Sequence, residues 1–205
     1  MEYFKFTPRN TFGSNCFLIS SGEDYALVDP TVSCDAVKDV VGDVFDKIKY
    51  IFLTHGHFDH FLTLDEWVRK TGVLPAVSEH DGVMLSNPYS NCSLMFTSER
   101  LDYRGQFQTV TDSNLLPFGK NSKIRIIHTP GHTAGSITLK VEDVLVVGDT
   151  LFSNGGYGRF DLPSGNAAML SDSITRLLKL DDQLTVLSGH GRLFKLHDAK
   201  KYRYI

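Results

Sequence analysis

The chain has 205 residues, of which 41% are hydrophobic and 22% charged, and its formal net charge is −3 at pH 7. This length and composition predict one globular domain over residues 1–205 and exclude disordered and fibrous proteins. The small negative charge gives no electrostatic reason for binding nucleic acid or an anionic membrane, so we expect neither as a partner.

Cysteine usage and the N-terminal segment indicate the compartment. Cys16, Cys34 and Cys92 stand far apart without a C-x-x-C pattern, which predicts reduced thiols, with Cys16 a small buried apolar residue. Residues 1–5 lack the layout of a signal peptide, and no apolar run approaches the roughly 20 residues of a membrane span. We therefore expect a cytoplasmic protein; the sequence specifies no oligomeric state.

Short apolar runs that end abruptly at a polar residue recur along the chain. Runs of this length, rich in β-branched residues, predict buried strands. They lie at residues 25–28, 50–53, 124–127, 144–147 and 184–187.

Helical patterns separate these predicted strands. Apolar residues repeat at helical spacing over residues 37–48 behind Ser33, a predicted N-cap, and again over residues 169–178. A third pattern begins with Thr63–Glu66, which fits a capping box, and ends at Gly72. Strands interleaved with helices predict a layered α/β fold, which collects its functional side chains at strand ends.

The stretch "YIFLTHGHFDHF" places four ligand-type residues directly after a predicted strand. His55 and His57 are two residues apart, and Asp59 and His60 follow as the chain turns toward the next helix. Imidazole and carboxylate groups suit zinc and related divalent metals, and a bound cation offsets the desolvation of such a dense cluster. The alternative, a solvated loop that is rich in histidine, is less consistent with three of eight histidines in six positions.

Three further strand ends supply candidates of the same type. His132 lies in "TPGHTAGS", Asp149 in "VVGDTLF" and His190 in "LSGHGRLF". Together with the first four they make seven candidate ligands, too many for one four-coordinate ion but suitable for two ions that share a carboxylate. Two such ions share a water, lower its pKa and stabilise an oxyanion, which predicts hydrolytic chemistry.

The order H-x-H-x-D-H, then a lone His, Asp and His, resembles the metallo-β-lactamase superfamily over nearly the whole chain. The resemblance implies an αββα four-layer sandwich with a dinuclear site. Asp59 and Asp149 are then expected to flank the bridging hydroxide. The implied ligands are His55, His57 and His132 for one metal and Asp59, His60 and His190 for the other, with Asp149 bridging.

Within that superfamily, "GDTLF", "GRFDLPSGN" and "SNPYSNCSLMF" are similar to the glyoxalase II group, the hydroxyacylglutathione hydrolases. This resemblance implies hydrolysis of a thioester such as S-lactoylglutathione with two divalent metal ions, zinc first, with iron or manganese as alternatives. It also implies substrate contacts by Arg159 and Tyr157. The chain is most similar to the short relatives without the helical C-terminal domain that helps to grip glutathione.

Two other classes stay open at this point. Persulfide dioxygenases share the fold and most of the motifs but use one iron, so the number of metals per chain separates them from the hydrolase. A binding module that has lost turnover is the third interpretation, and it predicts no hydrolysis of thioesters, lactones or esters.

Three further histidines are predicted to have structural roles. His80 is expected at the surface at a helix start, His128 as a strand residue or one that orients a ligand, and His197 facing solvent.

Overall fold

A computed structural model describes residues 1–9 and 12–204 of the chain. Its strands form two sheets of six strands each. The strands are β1 (Glu2–Phe6), β2 (Cys16–Ser21), β3 (Asp24–Val28), β4 (Ile48–Phe52), β5 (Pro75–Ser78), β6 (Gln108–Val110), β7 (Leu115–Phe118), β8 (Ser122–His128), β9 (Ile137–Val141), β10 (Val144–Gly148), β11 (Thr185–Ser188) and β12 (Phe194–Lys195).

Helices connect these strands. The α-helices are α1 (Cys34–Val41), α2 (Leu64–Thr71), α3 (Glu79–Gly82), α4 (Ser93–Phe96), α5 (Ala167–Leu177) and α6 (Leu196–Ala199). Short 3-10 helices occupy Phe45–Lys47, Phe58–His60 and Ser153–Gly155. Among the described residues, no helix is both long and apolar enough to cross a lipid bilayer.

The two sheets have different strand directions. The first has the order β1-β2-β3-β4-β5-β6, and β3 to β6 are parallel. The second has the order β12-β11-β10-β9-β8-β7, and β10 and β11 form its one parallel pair among the described strands. Because β4, β8, β10 and β11 all end at the same edge of the sandwich, the loops that follow them meet there.

Three apolar clusters hold the layers together. Alternate residues of β2 point to opposite faces, so Phe17 packs between the sheets while Leu18 packs under α1 and α2. Trp67 of α2 is fully buried on the outer face of the first sheet, and Leu170 and Ile174 of α5 cover the second. The expected αββα four-layer sandwich is confirmed.

All five predicted strands are present, but two helix predictions were wrong in detail. The pattern over residues 37–48 breaks at Gly42, whose φ of 80° ends α1, and a separate 3-10 turn follows. The Thr63 side chain makes no capping bond to its own helix; its hydroxyl is shared between the carbonyls of Pro30 and Val32, at 3.0 and 2.8 Å. Glu66 instead accepts the N–H of Cys34 at the start of α1 at 2.7 Å. The predicted Ser33 cap and the Gly72 stop are confirmed.

Candidate metal centre

Four loops at one edge of the sandwich carry the seven predicted ligand residues. His55 and His57 follow β4, and Asp59 and His60 lie in the 3-10 turn after them. A hydrogen bond of 2.9 Å from the Ile137 N–H to the Thr54 carbonyl ties this loop to the second sheet. The remaining three residues follow β8, β10 and β11 of the second sheet: His132, Asp149 and His190.

The first group of candidate ligands is a histidine triad. His132 Nε2 lies 2.9 Å from His57 Nδ1 and 3.1 Å from His55 Nε2. All three side chains are buried. Three ring nitrogens at this separation around one point form a donor set that fits a divalent cation.

The second group consists of Asp59, His60 and His190. His190 Nε2 lies 3.3 Å from Asp59 Oδ2, and His60 Nε2 lies 3.7 Å from the same oxygen. Asp149 lies between the two groups, because Oδ2 is 3.7 Å from His132 Nε2 and 3.4 Å from His190 Nε2. The structure therefore brings all seven predicted residues together in one cluster.

Hydrogen bonds on the far side of the rings fix the orientation of three histidines. The ring nitrogen His132 Nδ1 donates to the Arg159 carbonyl at 2.6 Å, which leaves the Nε2 lone pair directed into the cluster. His60 Nδ1 lies 2.9 Å from Asp29 Oδ2, and His55 Nδ1 lies 3.1 Å from the Thr54 hydroxyl. Such outer partners set the tautomer and strengthen imidazole as a ligand.

Burial and mutual charge divide the cluster into neutral and charged groups. Burial, followed by the neighbouring imidazoles, lowers the pKa of His55 well below its usual range and that of His57 to about 3. The pKa of His60 is raised well above its usual value and that of His190 to about 9, because the aspartates outweigh burial. Against the same burial, the imidazoles of His60 and His190 hold the pKa of Asp149 well below its usual range. A cation entering the cluster therefore meets the ionised Asp149 carboxylate and the neutral imidazoles of His55 and His57, and it displaces protons from His60 and His190.

Two observations indicate that the cluster is built for a cation. His60 Nε2 and Asp149 Oδ1 are buried without a hydrogen-bond partner among the described residues, although each is directed toward the cluster. The backbone of Gly189 passes so close to the cluster that a Cβ at this position would clash with Asp149 Oδ1. Buried polar atoms without partners are costly, and a bound cation would satisfy them.

Two buried aspartates support the site but were not among the predicted site residues. Asp29 follows β3 and accepts the Thr54 N–H and hydroxyl, both at 2.8 Å, besides its contact with His60. Asp81 in α3 joins the two loops that carry the first triad. It accepts the N–H groups of Gly56 and Gly135, both at 2.8 Å, and the Thr133 hydroxyl at 2.7 Å. Burial raises the pKa of Asp81, although these donors oppose the shift.

We expect Asp81→Asn to destabilise the protein by about 3 kcal/mol, because one amide NH₂ would face buried donors that now bind a carboxylate oxygen. Urea unfolding would measure the change. Asp181→Asn is the control, since Asp181 also accepts a backbone N–H, from Gln183, but in an exposed turn. Equal unfolding midpoints for the two variants would contradict the role of Asp81.

The remaining predicted residues lie at different distances from the cluster. Arg159 lines the cavity beside it, and its Nε and Nη2 donate to Asp161 at 2.8 and 2.7 Å. Tyr157 is not among the residues that line this cavity; its ring packs against Phe160 and Tyr204.

The other histidines and Cys16 lie outside the cluster. His80 is exposed on α3, and His197 is paired with Asp198 at the surface. His128 lies in β8 with Nε2 3.1 Å from the Ala134 carbonyl, so it supports the loop that carries His132. Cys16 is fully buried, and burial raises the pKa of its thiol to about 12.

The architecture and the cluster together define a class: a four-layer α/β sandwich with a histidine and aspartate metal centre at its strand ends. Comparison with known proteins agrees, since the Metallo-beta-lactamase superfamily profile matches residues 9–190. The chain belongs to the metallo-beta-lactamase superfamily, whose members are mostly metal-dependent hydrolases.

Relatives of known sequence and structure cover nearly the whole chain. Hydroxyacylglutathione hydrolase GloC of Haemophilus influenzae is 31% identical over 95% of this chain and 93% of its own length. The crystal structure of TTHA1623 in a di-iron-bound form has a TM-score of 0.81 and 25% identity, over 97% of each chain. The BLEG-1 B3 metallo-beta-lactamase, with a TM-score of 0.87 and 24% identity over 98% of this chain and 97% of its own, shares the fold.

Proposed function

We propose that the protein is a dinuclear metal-dependent hydrolase of thioesters that acts on hydroxyacylglutathione-type substrates such as S-lactoylglutathione. The observation that carries the proposal is the position of Asp149, within 3.7 Å of both His132 and His190. A carboxylate shared by two sets of ligands suits two ions and one substrate carbonyl. The similarity to GloC supports the thioester substrate, and the di-iron form of TTHA1623 supports the number of metals.

In this proposal, two divalent ions, zinc or alternatively iron or manganese, occupy the cluster. When bound, they supply Lewis acidity and a water of lowered pKa. His55, His57 and His132 would hold the first ion and Asp59, His60 and His190 the second, and Asp149, which lies within reach of both groups, would contribute to each.

The protein's own groups position the reactants. Asp59 and Asp149 line the cavity, so their carboxylate oxygens can accept hydrogen bonds from the attacking water and orient it toward a carbonyl that enters from the cavity. Addition of water to the carbonyl carbon and cleavage of the C–S bond give a carboxylic acid and a thiol. Arg159, beside the same cavity, keeps donors free to contact the thiol carrier.

The test is steady-state hydrolysis of S-lactoylglutathione by the metal-loaded protein, together with elemental analysis. We expect two ions per chain and turnover that disappears in His132→Ala. One iron per chain, no hydrolysis and oxygen uptake with glutathione persulfide would favour the persulfide dioxygenase instead. Two ions without hydrolysis of any thioester, lactone or ester would favour the binding module.

For Arg159→Ala we expect KM for S-lactoylglutathione to rise about tenfold while kcat is largely kept, as for the loss of uniform substrate binding. Arg104→Ala is a matched control, because Arg104 also donates two hydrogen bonds to a carboxylate two residues away, that of Asp102, on an exposed surface outside the cavity. A fall in kcat in Arg159→Ala would instead assign Arg159 to the transition state or to the loop.

A further inference from the structure

A cavity of about 370 Å³ lies directly against the metal centre. We infer that this cavity selects thioesters by an extended apolar acyl group, such as hexanoyl or phenylacetyl; this inference rests on the proposed thioesterase function. Five residues of the metal centre form one side of the cavity. The other described lining residues are mostly apolar: Phe12, Phe58, Phe96, Phe152 and Leu162, with Cys92, Gly158 and Arg159.

The aromatic side chains lie close to the reacting end of the cavity. Phe152 is in ring contact with His190, with the centroids 6.0 Å apart. Phe58 precedes Asp59 in the chain, is 3% exposed, and contacts the ring of Phe12 at 6.1 Å. Apolar surface therefore begins where the acyl carbon of a bound thioester would be and continues away from the centre.

Two of these rings are poorly covered by the protein itself. Phe12 is 44% exposed and Phe96 is 40% exposed, although both line the cavity. Exposed aromatic surface is unfavourable in water, and an apolar ligand that covers it gains binding free energy in proportion to the area it removes from water. An acyl chain of about six carbons has more apolar surface to place against these rings than a lactoyl group has.

The charge of the cavity wall also favours a neutral apolar group. Arg159 is the one permanent cation among the described lining residues, and the Asp161 carboxylate accepts hydrogen bonds from two of its N–H groups. The Arg159 guanidinium lies over the Phe96 ring at 5.8 Å. Burial raises the pKa of the Cys92 thiol to about 11, so the thiol is neutral at pH 7. Away from the centre, the wall offers few polar groups to a hydroxyacyl chain.

The test compares S-acetyl-, S-butyryl-, S-hexanoyl-, S-phenylacetyl- and S-lactoylglutathione with the metal-loaded protein. One shared thiol carrier keeps the contacts of the leaving group constant. We expect kcat/KM to rise about threefold for each added methylene from acetyl to hexanoyl. This factor is slightly smaller than the one expected if each methylene were fully buried. A flat or falling series with S-lactoylglutathione still hydrolysed overturns the inference and leaves the proposed function intact.

Substitutions of lining residues test whether the cavity wall gives the acyl-chain selectivity. Phe96→Ala and Phe152→Ala are expected to lower the ratio of hexanoyl to acetyl kcat/KM at least about fivefold. Leu115→Ala, at an exposed apolar position of β7 outside the cavity, is the control and should keep the ratio of the parent protein. An unchanged ratio in both phenylalanine variants overturns the assignment.

A binding measurement separates this inference from the proposed function. Calorimetry would use ketone analogues with one methylene between the carbonyl and the sulfur, which cannot be hydrolysed as thioesters. We expect the Kd to fall about threefold per methylene of the acyl chain. If no thioester is hydrolysed, the proposed function fails, and the calorimetric series alone decides whether the wall selects apolar chains. A Kd independent of chain length overturns the inference.

Discussion

Asp149→Ala is expected to lower hydrolysis of S-lactoylglutathione by about 10³-fold or more and to reduce the bound metal in parallel. The physical reason is that Asp149 lies between the two sets of ligands, through contacts to His132 and His190 and a third of 3.5 Å from Oδ1 to His60 Nε2. Alanine leaves these imidazoles facing each other without the anion between them. Elemental analysis and steady-state kinetics on the same preparation would measure both quantities.

A control for this substitution flanks the same strand at its other end. Asp143 is exposed at the opposite end of β10, so Asp143→Ala should keep two ions per chain and the turnover of the parent protein. Retention of both metals with unchanged turnover in Asp149→Ala would rule out the bridging role. Loss of turnover with both metals retained would move Asp149 from metal binding to orientation of the attacking water.

The second large effect is expected for Asp29→Asn, which should weaken metal binding by about 10- to 100-fold and destabilise the protein by about 3 kcal/mol. Asp29 is completely buried and accepts from the Thr54 N–H, the Thr54 hydroxyl and His60 Nδ1. An asparagine has one acceptor oxygen in place of two, so at least one buried donor loses its partner. His60 would then lose the carboxylate that orients its ring.

Metal titration and urea unfolding would measure the two effects of Asp29→Asn. Asp24→Asn is the matched control, because Asp24 begins the strand that Asp29 follows and binds Lys49 and the Gly119 N–H at the partly exposed end. Metal affinity equal to that of Asp24→Asn would show that Asp29 has no part in orienting His60. Weakened metal binding with an unchanged unfolding midpoint would show that Asp29 orients His60 but does not stabilise the fold.

The loop at residues 87–92 and the segment around Arg159 connect the site to the cavity wall. The Asn91 carbonyl accepts the Phe58 N–H at 3.0 Å, so the turn that carries Asp59 is held against the loop that ends at Cys92. The Arg159 carbonyl holds His132 while its side chain lines the cavity. A ligand in the cavity therefore touches the same segments that orient the metal ligands.

Much of the fold was predictable because its central strands are continuous apolar runs. The strands that were not predicted are mostly short, exposed or at the sheet edges, such as β6, β7 and β12, where the apolar signal is weak. β5 has only four residues and begins with Pro75, so its local signal is weak and its parallel pairing to β4 and β6 is what defines it. The capping box predicted at Thr63 was wrong because the Thr63 hydroxyl bonds to the carbonyls of Pro30 and Val32, which lie outside its own helix.

The sequence by itself predicted the seven residues that the structure brings together at one edge of the sandwich, because the combined spacing of these histidines and aspartates is distinctive. Only the tertiary structure decided which residues support and surround the metal centre. Asp29 and Asp81 each look like ordinary turn residues, and their partners lie up to 54 residues away along the chain. The apolar wall is likewise assembled from segments between Phe12 and Leu162. Contacts between residues so far apart leave no local pattern, since each is fixed by the packing of the two sheets.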